Sequence, residues 1–88
     1  MLLFTFVLEF SGGTYISQFG ACTARGALTL YASELVRNNA VSTLSARKHL
    51  ADALSAEKLV RLDGVRSVWC CSTLVGRKFA LLNIVATA

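Results

Sequence analysis

Large apolar side chains alternate from the start of the chain. Leu2, Phe4, Phe6, Leu8 and Phe10 share one face of an extended segment, and Leu3, Thr5, Val7 and Glu9 share the other. Ser11-Gly12-Gly13 then marks a tight turn, because Gly supplies the positive φ angles that hairpin loops need. With Gly12-Gly13 as the loop, Phe10 pairs with Tyr15, Leu8 with Ser17 and Phe6 with Phe19. This register gathers the aromatics on one face and leaves Ile16 and Gln18 opposite; a loop one residue longer would bring Ile16 to the Phe face.

The period then becomes helical. Thr23 is an N-cap candidate, and Ala24, Ala27, Leu28, Tyr31, Leu35 and Val36 fall on one stripe. Gly26 weakens the first turn by about 1 kcal/mol relative to Ala, and Asn38-Asn39 is a stop signal. Leu44-Ser45 opens a second helix with Ser45 as its cap. Its inward residues are Leu50, Ala53 and Leu54, and Arg47, Lys48, Asp52 and Ser55 fall mostly outside. Leu59 to Leu62 reads two ways. Asp63-Gly64 either caps this helix or turns a short extra hairpin into Val65, and the helical cap is the reading adopted.

Ser67 to Ala88 reads as two strands joined at Gly76-Arg77. In that register Leu74 faces Phe79, Ser72 faces Leu81, Cys70 faces Asn83 and Val68 faces Val85. On the opposite side Thr73 meets Ala80, Cys71 meets Leu82 and Trp69 meets Ile84. Both faces are largely apolar, whereas a sheet with one wet face should alternate. Each side therefore needs a cover.

The order β-β-α-α-β-β gives an α+β fold, with a four-stranded antiparallel sheet and two helices packed on one face, over a single domain of residues 1–88. The helices cover one side of the sheet. A second copy of the same sheet is the simplest cover for the other, and two-fold dimers are the commonest closed assembly. The candidate interface is Val68, Leu74, Phe79, Leu81 and Val85. The pattern leaves open which face the helices take, so the same residues could instead form the core.

Composition strengthens the case for an interface. Hydrophobic residues make up 55% before Gly is counted and charged residues 16%, against usual values of about 45–50% with Gly and about 25%. No run approaches the roughly 18 residues of a membrane span. MLLFTFVLEF lacks a basic start and carries Glu9, so it reads as a strand and not a signal peptide. An odd number of cysteines, Cys22, Cys70 and Cys71, without a secretion signal points to free thiols in a reducing cytoplasm. The expectation is a cytoplasmic protein without a membrane partner.

The sequence offers little for chemistry. Cys70 and Cys71 are strand neighbours on opposite faces, so a metal site would need Cys22, His49 and one of them to converge through the fold. His49 and Asp52 can share a helix face, but nothing in the spacing brings a thiol to them. Buried thiols acting as small apolar fillers are the plainer reading, although thiol chemistry at Cys22, Cys70 or Cys71 stays open. The acidic residues Glu9, Glu34, Asp52, Glu57 and Asp63 are scattered, and the glycines fit no phosphate-cradling motif. Trp69 reads as a core anchor, with a pocket of Trp69, Tyr15 and Phe79 as the alternative. No catalytic residue, cofactor or metal is expected.

The net charge of +4 allows an anionic partner such as nucleic acid. Arg47, Lys48, Lys58 and Arg61 around the second helix are the candidate contacts, with Arg66 nearby and Arg77-Lys78 at a hairpin tip. No helix-turn-helix, RNP or zinc-finger signature accompanies them. The opening FTFVLEFSGGTYISQFGACTARGALTLYASEL resembles the HicB-type antitoxin pattern, where a hairpin closed by a Gly-rich turn leads into a helix with an Ala-Leu step, here Ala27-Leu28. The likeness covers roughly the first third of the chain, without the third strand such domains place before the helix and without a counterpart to the last hairpin. It implies a nucleic-acid-binding or toxin–antitoxin accessory role as the alternative. The primary expectation is a small homo-oligomeric interaction protein, a homodimer in the simplest case.

Overall fold

The computed structural model describes residues 1–62, 64 and 67–87. Strands β1 (Leu2–Phe10) and β2 (Gly13–Ala21) precede helices α1 (Ala24–Leu35) and α2 (Leu44–Ala56), and β3 (Val60–Arg61), β4 (Val68–Val75) and β5 (Lys78–Ala86) follow. The strands form one sheet in the order β2-β1-β5-β4-β3, with every neighbouring pair antiparallel. The α+β class and its antiparallel sheet match the sequence expectation; the described residues form five strands, not four. Among the described residues no helix is long and apolar enough to cross a membrane.

The extra strand lies where the sequence was ambiguous. After α2 the chain turns extended at Glu57 (φ −74°, ψ 149°), and Val60 and Arg61 pair with Cys70 and Trp69. The Arg61 guanidinium sits 5.9 Å from the centre of the Trp69 ring, a cation–π contact that favours this pairing over another helical turn. The predicted capping residue Asp63, together with Val65, lies outside the described residues.

The β4–β5 register is the predicted one, from Val68 opposite Val85 to Leu74 opposite Phe79, and Gly76 takes a φ of +64° in the loop. The first hairpin differs by two residues. Its loop is Ser11-Gly12, with φ of 51° and 81°, and Phe10 pairs with Gly13, Leu8 with Tyr15, Phe6 with Ser17 and Phe4 with Phe19. Two positive φ angles in succession suit the right-handed twist of a two-residue hairpin, and Ser11 accepts one of them. A shift of two keeps every side chain on its predicted face. Gly13 serves another purpose: a Cβ there would lie 2.5 Å from the Tyr15 hydroxyl oxygen, so its bare backbone makes room for the ring.

Phe4, Phe6, Leu8, Phe10, Ala80, Leu82 and Ile84 form the buried floor from the two central strands. Ala27, Leu28, Tyr31 and Leu35 of α1 and Leu50, Ala51 and Leu54 of α2 cover it. Phe6 stacks flat on Tyr31, with ring centres 4.5 Å apart, and meets Phe19 edge-on at 5.8 Å. Both helix starts are capped: Thr23 accepts from the Gly26 N–H at 3.0 Å and Thr43 from the Ala46 N–H at 3.2 Å. The second cap is thus Thr43, not Ser45, because Thr43 is the last extended residue (φ −87°, ψ 161°) before the helix.

Arg47 departs furthest from expectation. It is buried, not outward-facing. Its Nε donates to the Val36 carbonyl at 3.0 Å, Nη1 to those of Ser42 at 3.0 Å and Val41 at 3.4 Å, and Nη2 to Asn39 Oδ1 at 3.4 Å. The end of α1 and the irregular link to α2 leave carbonyls without helical partners, and one planar guanidinium fork satisfies several of them. The Asn38-Asn39 pair follows Arg37 in this link, after the helix has ended at Leu35. Neither Asn takes a positive φ, a role that falls to Ser42 at 49°.

Candidate interaction surface

The helices lie on the Phe4, Phe6 and Leu8 side, so the opposite side of the sheet is open. Cross-strand register sets its rows. Ile16, Val7, Asn83, Cys70 and Val60 run across all five strands, and Gln18, Thr5, Val85 and Val68 run beside them. Thr14, Glu9, Leu81 and Ser72 form the next row, and Phe79 with Leu74 ends the face. Ile16 is 68% exposed, Leu74 62%, Phe79 58% and Val60 56%; Val7, Val68, Leu81 and Val85 are half-buried by their neighbours.

All five predicted interface residues, Val68, Leu74, Phe79, Leu81 and Val85, share this open side. The core reading of the same residues is thereby excluded. Val60 joins them, which the helical reading of residues 59–62 concealed. The polar side chains of the face are mostly neutral: Gln18 Nε2 donates to Thr5 Oγ1 at 2.9 Å, and Thr5 Oγ1 lies 3.1 Å from Thr87 Oγ1. Among the described strand residues of this face, Glu9 is the only charged one. Beside it, a depression of about 320 Å³ runs along the β1–β2 loop to Phe79 and Leu81.

The candidate cation cluster does not assemble as read. Arg47 is spent inside the protein, and Lys48, Lys58 and Arg61 remain exposed on α2, the following link and the edge strand. Arg66 lies outside the described residues. Arg25, which the sequence did not single out, joins the helices by donating from Nη1 to the Glu57 carbonyl at 2.9 Å and from Nη2 to that of Ser55. A basic residue on the first turn of α1 carried no sequence signal for this, since its partners are backbone atoms more than a helix away.

The thiols are dispersed. Cys22 is exposed, Cys70 is half-buried on the open face and Cys71 is buried beneath the helices. Burial pushes the Cys71 thiol up to about 11, and electrostatic interactions with Glu57 and Cys70 add to the shift. His49 and Asp52 share a shallow surface depression with Ser45 and Ala53, and no thiol lines it. Among the described residues no three His, Cys, Asp or Glu side chains are placed to hold a metal ion. Trp69 and Tyr15 lie on the helix side of strands at different ends of the sheet order and Phe79 lies on the open side, so the pocket imagined from them does not form. Instead Tyr15 and Phe19 line a half-open groove of about 250 Å³ with Tyr31, Leu35, Glu34 and Arg37, between β2 and α1. No family model, curated protein or solved structure matches the chain.

Proposed function

We propose that this chain is a homo-oligomeric interaction protein of the cytoplasm, at its simplest a homodimer, docking through the open sheet face. The observation that carries the reading is the position of Val68, Leu74, Phe79, Leu81 and Val85 together on the side without helices, next to Val7, Ile16 and Val60. Five strands spaced about 4.8 Å apart, each up to about 30 Å long, make a face of roughly 600–700 Å². That is comparable with the about 800 Å² per partner of a stable interface. Burying one exposed Phe or Leu fully contributes about 1.5–3 kcal/mol, and the near absence of charge keeps desolvation cheap. A Leu81→Asp substitution places a carboxylate in the middle of this surface and is expected to dissociate the assembly, read as mass in solution. An unchanged mass would remove the reading.

The alternative is nucleic-acid binding through Lys48, Lys58 and Arg61, supported by the net charge of +4 and by the exposure of these cations away from the apolar face. Its test is retention on heparin that falls steeply with salt. Elution at low salt, unchanged by Lys48→Glu, would set it aside.

A further inference from the structure

The two edges of the sheet are unequal. On one side β3 is two residues long and pairs only with Trp69 and Cys70 of β4, so that edge is broken. The β2 edge is nine residues, GTYISQFGA, without a charge or a proline. Its ladder to β1 runs unbroken from Gly13 to Ala21, so no bulge turns it away. Among the described residues this edge has no charge, proline or bulge to defend it. Because Phe10 and Gly13 flank a two-residue loop, they form a hydrogen-bonded pair, and alternate residues Thr14, Ile16, Gln18 and Gly20 direct their N–H and C=O groups outward.

We infer that β2 is a strand-addition edge and that its occupant is β2 of a second copy, paired antiparallel in full overlap about a two-fold axis at Ser17. The strand is complementary to itself in that register. Gly13 meets Ala21, Tyr15 meets Phe19, and the small side chain of Ser17 meets its own copy on the axis, all on the helix side. Cross-strand aromatic pairs of this kind stabilise antiparallel sheets. The groove of about 250 Å³ lined by Tyr15, Phe19 and Tyr31 opens beside this edge, where the second copy's Tyr15 and Phe19 project. β2 itself carries no charge to oppose the approach. The contact is two-fold and uses the β2 edge of both copies, so strand addition at this edge closes on itself as a pair. This contact uses a different surface from the open face, and the two can coexist in one assembly.

The test is a cysteine scan in the full chain. Under full overlap, residue 17 faces residue 17 in a non-hydrogen-bonded pair, with Cα atoms about 4.5 Å apart, inside the roughly 4.4–6.8 Å range of disulfides. Ser17→Cys under oxidised glutathione is expected to convert most of the protein to a covalent dimer on a non-reducing gel, reversed by reductant. Ala56→Cys, exposed at the end of α2 and on neither proposed contact, is expected to stay near the background set by the native chain with its three thiols. Equal crosslinking of the native chain, Ala56→Cys and Ser17→Cys, or none beyond background in Ser17→Cys, would overturn the pairing; the second result would leave the edge to an extended segment of another protein. Ser17→Lys and Ser17→Glu give an independent readout: each alone should lose the edge contact, and an equimolar mixture should regain it. Unchanged mass in both single variants would also overturn it. Adding Leu81→Asp to Ser17→Cys separates the two surfaces, since failure of the open-face reading leaves the crosslink intact.

Discussion

Leu74 lies directly opposite Phe79 in the β4–β5 ladder, and both side chains are more than half exposed on the side without helices. A cross-strand pair of large apolar groups stabilises a sheet wherever it sits, but this one leaves most of its surface in water.

The first prediction concerns that pair. Phe79→Ser should lower the association constant by at least tenfold while changing the unfolding free energy of the separated chain by less than about 0.5 kcal/mol, as surface substitutions do. Sedimentation equilibrium together with urea unfolding at low protein concentration distinguishes the two effects. A large loss of stability with unchanged association would place Phe79 in the fold and not in the contact.

Arg47→Ala should destabilise the fold by about 2–3 kcal/mol in urea unfolding, since it strips donors from the Val36 and Ser42 carbonyls. Arg47→Lys should recover less than half of this loss, because an ammonium cannot reproduce the fork. Neither substitution should alter heparin retention of the folded protein, in contrast to Lys48→Glu if the cations bind nucleic acid.

The helix caps give a paired comparison. Thr43→Ala should cost about 1 kcal/mol, whereas Ser45→Ala should stay within about 0.5 kcal/mol, because only Thr43 accepts a hydrogen bond from the first turn.

The protein should lose stability in alkali. Burial raises the Cys71 thiol from 9.0 to about 11 and pushes the Tyr31 phenol well above its ordinary value. In both cases the folded state holds its proton more tightly than the unfolded chain. This stability is fully present below pH 9 and is lost as pH rises toward 11 and beyond. Cys71→Ala should flatten the first part of that decline in a pH series of urea midpoints. The same burial should make Cys22 the first thiol to react with iodoacetamide in the folded protein and Cys71 the last.

How much of this was legible in the sequence depended on how locally each feature is determined. The last hairpin was readable residue by residue, because Gly76 admits a positive φ and strict pairing follows from the loop. The first hairpin kept its faces but slipped by two, since Ser11 adopts a conformation that sequence reasoning assigned to Gly13. The short strand β3 has no period to detect, and its pairing, which sets Arg61 beside Trp69 of the neighbouring strand, is between segments that local patterning does not connect. Arg47 looked like surface because side-chain type suggests water, whereas its partners are carbonyls that exist only once the helices are joined. The face covered by the helices was not readable locally, because both sides of the last hairpin are apolar. It is decided by the continuous Phe4, Phe6, Leu8 and Phe10 row beside β5.

Light scattering on a sizing column, with the native chain and Leu81→Asp at low and high salt, tests the open-face docking most directly. The expected result is a native dimer or larger assembly whose mass does not change with salt, and a Leu81→Asp variant that is folded and has lost that contact. A native monomer, or a variant with the native mass, would contradict it.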